Sequence, residues 1–338
     1  MVRDMTLDET NLRLLAVLQT HARLTSAEVS ERLGLSQSAC LERWRKLERC
    51  GAIRRYRTDI DLDRVTPNVR VFAEVTLLDQ RRETLRAVVA AIDGMPEVVA
   101  AYRLSGPFDL MLSLVCRDVR HYHDLSETLL HTVPGIAKFN GHVVLGRTKG
   151  FGGYPLGPLS GLDLPPPQPA PPAAGESGLK LDALHLKILQ VLQTEGRIAN
   201  TALAERVALS PSPCLERVKR LEANGYITQY VAEIDLDACL PHVYLMAEAT
   251  LESHDIADFK RFEDRIHGIP DIISAYKIAG PYDYTMDIVC RDMNHFRALE
   301  ETLTGRAMAL AKLRFHVVLR RLKVFSGFPL ERLAGSPA

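Results

Sequence analysis

No apolar run in this 338-residue chain approaches the roughly 18 residues a helix needs to cross a bilayer, which excludes a membrane-spanning helix. Nor do any of the six cysteines (Cys40, Cys50, Cys116, Cys214, Cys239 and Cys290) stand as a CxxC pair. Dispersed in this way, they are expected to be reduced, buried thiols rather than metal ligands or disulfides. HExxH and clustered Cys/His spacings are missing, so no metal site is expected, and GxSxG and phosphate-loop patterns are missing too. The opening residues, MVRDMTLDET, lack the apolar core of a secretory signal, and a cytoplasmic location is expected. Lysine and arginine together number 42, as do aspartate and glutamate. That balance argues against a uniformly basic nucleic-acid binder while leaving room for local basic patches.

What is present is a repeat. LSQSACLERWRKLERCGAI (Leu35–Ile53) answers LSPSPCLERVKRLEANGYI (Leu209–Ile227), and YRLSGPFDLMLSLVCRD answers YKIAGPYDYTMDIVCRD. Residues 7–156 and 181–330 align without a gap, so the chain carries two copies of one complete fold unit. Between them, residues 157–178 are proline-rich and read as a semi-extended, solvated linker.

Each unit divides again. Leu12, Leu15 and Leu18 share a helix face, a short helix is expected over about 25–33, and a longer one over 37–50. Strand and helix patterns then follow in the order βαββαβ, the ferredoxin-like arrangement, with one sheet face left needing a partner. The fold class is therefore α+β. The expected divisions are a helix-turn-helix over 1–60, a ferredoxin-like domain over 61–156, the linker, a second helix-turn-helix over 179–234 and a second ferredoxin-like domain over 235–338.

The repeated stretch has the character of a DNA reader. Ser36 and Ser210 sit at N-cap positions. Cys40, Leu41, Trp44 and Leu47 cluster on one side of the first helix, and Ser38, Glu42, Arg45, Lys46 and Arg49 on the other. Ser212, Glu216, Lys219 and Arg220 repeat that outer face. Gln37, Arg43 and Arg217 complete the expected DNA-contacting set. Such a helix lies in the major groove, where arginine and lysine contact guanine or phosphate and serine or glutamine read base edges. From Ser36 to Arg57, Arg43, Arg45, Lys46, Arg49, Arg54, Arg55 and Arg57 oppose Glu42 and Glu48. The second reader is less basic, and the two are expected to be unequal.

LSPSPCLERVKRLEANGYITQY resembles the recognition helix and turn of the Lrp/AsnC (feast/famine) transcription regulators. The resemblance continues through LDALHLKILQVLQTEGRI and the Gly-x-x-Asp hairpin AGPYDYTMDIVCRD. It departs at Asn11 and His185, where the family usually has an acidic residue, at Trp44, and in supplying two units per chain. It implies double-stranded DNA as partner, association through the ferredoxin-like domain, and an amino-acid-like effector. The hairpin residues this places near an effector are Leu104, Ser105, Gly106 and Asp109, with Ile278, Gly280 and Asp283; Ala279 lacks the hydroxyl of Ser105. The residues alone read these segments as Gly-Pro turns capped by aspartate. No cofactor is expected.

The pairing expected is within one chain, as a pseudo-dimer, with further homo-oligomer formation. The enzymatic alternative is a siroheme-decarboxylase-like protein, similar in fold, in which the preserved pairs His121/His295 and His142/His316 act as acid–base groups. A sensor or scaffold that binds no DNA is the third reading.

Overall fold

The structure, a computed structural model, describes residues 7–167 and 178–334. The first reader is built from α1 (Glu9–Leu18), α2 (Ser26–Leu33) and α3 (Gln37–Arg49). Local chemistry sets its limits. Asp8 Oδ1 accepts from Asn11 N at 2.8 Å to start α1, and Thr25 and Glu28 form a reciprocal capping box at α2. Gly34, at φ 64°, ends α2 in the left-handed conformation. Leu12, Leu15 and Leu18 then bury against Cys40, Trp44 and Leu47.

The chain continues through β1 (Ile53–Ile60), α4 (Leu62–Val65), β2 (Val69–Leu77), α5 (Arg82–Asp93), β3 (Val98–Leu104), β4 (Leu110–Cys116), α6 (Val119–Thr132) and β5 (Ile136–Lys149). A short helix, α7 (Leu156–Ser160), follows. The second copy repeats this as α8 (Ala183–Leu192), α9 (Asn200–Arg206), α10 (Pro211–Ala223), β6 (Ile227–Ile234), α11 (Leu236–Cys239) and β7 (Val243–Leu251). It closes with α12 (Ile256–His267), β8 (Ile272–Ala279), β9 (Tyr284–Cys290), α13 (Met293–Thr304), β10 (Leu310–Lys323) and α14 (Leu330–Leu333). The βαββαβ order read from the sequence is present in both copies.

The copies join at two places. Strand β1 pairs antiparallel with β6 from Ile53↔Ile234 to Ile60↔Ile227, with Arg57 opposite Val231, on a pseudo-twofold axis. Below this ribbon, the two ferredoxin-like sheets close into one barrel of order β10-β3-β4-β2-β5-β8-β9-β7. Strands β5 and β10 make the closure, because each pairs with its own sheet along its first half and with the other copy along its second. Closure satisfies the edge N–H and C=O groups that a single βαββαβ sheet leaves open. The uncovered sheet faces turn inward, where Leu104, Phe108, Met111 and Met246 form an inner cluster.

Packing also crosses between copies. The first reader shares its core with Tyr244, Ile273 and Val289 of the second copy, and the second reader with Val99 and Val115 of the first.

The segment expected as a solvated linker begins otherwise. Residues 156–160 are helical, and Leu156, Leu159 and Leu164 are buried in the core of the first reader. Their apolar side chains outweigh the neighbouring prolines, each burial contributing about 1.5–3 kcal/mol. Residues 168–177 of that segment lie outside the described residues.

Candidate nucleic-acid interface

Ser38, Glu42, Arg45 and Arg49 line a shallow groove along the outside of α3, and Gln37, Lys46 and these residues are all exposed. On α10, Ser212, Glu216, Lys219 and Arg220 are likewise exposed. Among the described residues none of their cations forms a salt bridge, which is the electrostatic condition for meeting phosphate. Gln37 is partly engaged, since its Nε2 donates to Ser26 Oγ at 3.3 Å between α2 and α3.

Arg43 and Arg217 are placed differently from the sequence expectation. Arg43 Nη1 reaches back to Asp8 Oδ2 at 2.6 Å and Asn11 Oδ1 at 3.1 Å. Arg217 Nη1 meets Asp182 Oδ2 at 2.7 Å and lies 3.2 Å from His185 Nδ1. Both sit at the border of the wheel's two faces, and a carboxylate at the start of the reader's first helix, α1 or α8, draws them inward. Burial raises the Asp8 carboxyl, but hydrogen bonds from Arg43 and Asn11 hold it below its ordinary range. Asp8 and Asp182 thus supply the negative charge that Asn11 and His185 do not.

Arg54, Arg55 and Arg57 also leave the expected basic surface. Arg54 pairs with Asp235 at 2.8 Å, Arg55 with Glu233 at 2.8 Å, and Arg57 with Asp59 and Glu233. The charge advantage of the first reader therefore narrows to three exposed helix cations, Arg45, Lys46 and Arg49, against Lys219 and Arg220.

The two N-caps differ as well. Ser36 Oγ accepts from Ala39 N at 3.3 Å, whereas Ser210 makes no side-chain cap bond. Pro213 occupies the matching third position and has no N–H to offer.

What fixes the readers relative to each other was not visible in either copy alone. Gly196 N donates to Tyr56 O at 2.8 Å, and the matching Ala22 N donates to Tyr230 O at 2.8 Å. Arg197 lies over the rings of Trp44 and Tyr56, at 4.6 and 4.9 Å, and Arg23 lies 3.5 Å over Tyr230. Each reader's first turn is thereby clamped to the other's strand. Beneath them, Gln19 and Gln193 act as staples: Gln19 exchanges two bonds with the backbone of Tyr154, and Gln193 with that of Phe328. The only hint in the sequence was the repeated Leu-Gln-Thr.

The hairpins lie on the seam between the copies. Ser105 N donates to Val317 O at 2.9 Å, and Ser105 Oγ accepts from Val317 N at 3.1 Å. Ala279 has no hydroxyl to repeat this. Leu104 and Ile278 are buried. Asp109 accepts from Leu77 N at 2.7 Å and from Gln80; Asp283 accepts from Leu251 N at 2.8 Å and lies 3.2 Å from His254. Gly106 and Gly280 pack on His316 and His142, whose Nδ1 atoms would each stand 2.7 Å from an added Cβ. Gly106 also has φ +135°, closed to L side chains. Gly106→Ala is accordingly expected to destabilise by about 2–4 kcal/mol and Gly280→Ala by about 1–3 kcal/mol, as read by denaturant unfolding. Equal losses would show that the backbone of Gly106 contributes nothing.

His142 Nε2 meets Glu74 at 3.1 Å and His316 Nε2 meets Glu248 at 2.9 Å, while His121 and His295 lie 3.6 and 3.4 Å from Glu97 and Asp271.

Comparison with known proteins gives these features a family. A model described as the Lrp/AsnC ligand binding domain matches residues 70–153 and 245–327. The AsnC-type helix-turn-helix domain matches 7–48, and a winged helix-turn-helix DNA-binding model matches 181–228. The transcriptional regulatory protein DoeX of Halomonas elongata is 30% identical over 145 residues, covering 92% of that protein and 43% of this chain. The leucine-responsive regulatory proteins of Haemophilus influenzae and Escherichia coli K12 are each 35% identical, over 143 and 149 residues. Those alignments cover 86% and 89% of the relatives and 42% and 43% of this chain. The chain belongs to the Lrp/AsnC family. Nearly a whole Lrp/AsnC relative corresponds to less than half of it, as expected of a chain that carries the family's unit twice. Among solved structures, the siroheme decarboxylase NirDL has a TM-score of 0.64 at 15% identity, with 96% of both chains covered. That likeness is one of fold.

Proposed function

We propose that this chain is a sequence-specific DNA-binding transcription regulator of the Lrp/AsnC type that presents two unequal readers from one molecule. The observation that carries the reading is the pair of outward helices α3 and α10, with exposed cations on both and a shared β1·β6 ribbon fixing their separation. A dimeric reader with such geometry engages two half-sites, and phosphate contacts make its affinity fall linearly with salt on logarithmic axes. Because Arg49 and the N-cap bond belong to one reader only, the half-sites it prefers should differ.

The test is to map DNA bound across a genome and footprint the strongest sites at several salt concentrations. Salt-sensitive protection of two dissimilar half-sites is the expected result. A palindromic preference with equal protection contradicts unequal readers, and binding that ignores salt contradicts the phosphate contacts.

An amino-acid-like effector is the ligand class this reading carries for the hairpins Leu104–Asp109 and Ile278–Asp283, where competition for Ser105 would disturb the seam. The reading assigns the chain no chemistry of its own. In support, the cavity enclosed by the barrel and the β1·β6 ribbon is not lined by His121, His142, His295 or His316. Incubation with siroheme should leave the siroheme absorbance spectrum unchanged.

A further inference from the structure

That cavity has a volume of about 520 Å³, within the range of small-molecule sites. Its roof is the ribbon, through Arg57, Thr58, Asp59, Gln229 and Glu233, and its walls come from both ferredoxin-like sheets. Two aromatic pairs face it. Tyr102 and Tyr244 stack with ring centroids 6.0 Å apart, and Phe72 meets Tyr276 edge-on at 5.1 Å.

Most cations on its surface are already matched. Arg54, Arg57 and Arg70 have the partners Asp235, Asp59 with Glu233, and Asp63. Arg147 and Arg321 have no carboxylate partner among the described residues, and Arg147 is exposed, which leaves Arg321. Its guanidinium lies over Tyr244 at 4.8 Å, and its Nη1 donates to Tyr154 Oη at 2.9 Å. Its Nη2 is buried with no hydrogen-bond partner among the described residues. Thr58 Oγ1, on a side chain 1% exposed, is in the same condition. Asp287 forms no salt bridge with Arg321 among the described residues; it accepts from Ser274 Oγ, and burial raises its carboxyl above the ordinary range against the lowering effects of Ser274, Tyr244 and Arg321. A buried polar atom left unpaired costs about 1–3 kcal/mol, so two in the lining of one cavity need a reason.

We propose that the barrel cavity is a binding site for a small aromatic carboxylate, with its carboxylate on Arg321 Nη2 and its ring against the aromatic side chains that line the cavity, Tyr102, Tyr244, Phe72 and Tyr276. Guanidinium recognises carboxylate through planar N–H donors, and tyrosine faces accept a flat ring at little entropic cost. Thr58 Oγ1 is placed to meet a second polar group on the ring. The site is one-sided although it spans a pseudo-twofold axis. The positions equivalent to Arg321, Tyr244 and Asp287 are Arg147, Arg70 and Ser113; Arg147 is exposed and Arg70 is paired with Asp63. A ligand there touches the strands that join the readers, so its occupancy bears on their spacing.

The experiment is calorimetric titration of the full chain, without DNA, with phenylacetate, 4-hydroxyphenylacetate and indole-3-acetate, and with uncharged phenylacetamide. At least one acid should bind, at one site per chain, more tightly than phenylacetamide. Arg321→Met should weaken that binding by at least ~10-fold, the worth of one charge-assisted hydrogen bond, and Arg147→Met by much less. If Arg321→Met does not fold, Thr58→Val, which keeps the side chain's shape, should still reduce affinity for 4-hydroxyphenylacetate. Failure of all three acids to bind overturns the proposal, as does equal affinity for phenylacetamide or indifference to both substitutions. Because DNA is absent, neither result depends on the regulatory reading.

Discussion

Replacing Arg45 and Lys46 together by alanine is expected to weaken DNA binding on the order of 100-fold at low salt, since each removes one charge-assisted contact. The slope of log affinity against log salt should become shallower by about 1.8, one released counterion for each lost phosphate contact. Both side chains are exposed on α3 and neither serves the fold, so the unfolding curve should not move. Arg43→Ala makes the informative contrast. Its guanidinium is spent on Asp8 and Asn11, and it should lower stability by up to about 1 kcal/mol while leaving the salt slope alone. Titrating labelled duplex at a series of salt concentrations, beside denaturant unfolding, separates the two. A slope that falls with Arg43→Ala and not with the double substitution would reverse the assignment of that helix.

The second large effect is an absence of effect where a tether is cut. Cleavage at a protease site inserted between residues 168 and 177 is expected to leave the halves as a one-to-one complex that still binds DNA. The ribbon and the barrel seams do not pass through that segment. Each reader is also seated on the other copy's sheet, so separation would expose both cores. Before cleavage the tether only raises the local concentration of one half around the other. Size-exclusion chromatography and light scattering give the answer. Halves that separate, or seam crosslinks found only between different chains, would show that the pairing within one chain is wrong.

The gapless repeat made the elements legible: helix limits follow from caps such as Thr25 and Gly34, and strand order from alternating patterns that recur in both copies. What escaped depended on contacts between distant residues. A helical wheel gives a side chain's direction but not its reach, so Arg43 and Arg217 looked outward although carboxylates 35 residues earlier hold them. Arg54, Arg55 and Arg57 read as part of a basic patch because Glu233 and Asp235 stand in the other copy. Ser210 occupies a cap position, yet the bond it would make was removed by Pro213 three residues on. Leu159 and Leu164 were read as linker because proline dominated the composition of their surroundings. The closed barrel could not be read from one βαββαβ pattern, since closure is a property of two.

The pairing of Arg57 with Val231 across the axis also bears on how the two halves could be produced. In a symmetric dimer a residue on the axis faces its own copy, so two first halves would set arginine against arginine, a destabilising like-charge contact. Two second halves would set valine against valine and would leave Glu233 without Arg55. Made as separate chains at unequal rates, the halves would leave a surplus with only its own kind to pair with. Translation as one polypeptide fixes their ratio at synthesis, so the mixed ribbon needs no matched expression of two genes and leaves no unmatched half.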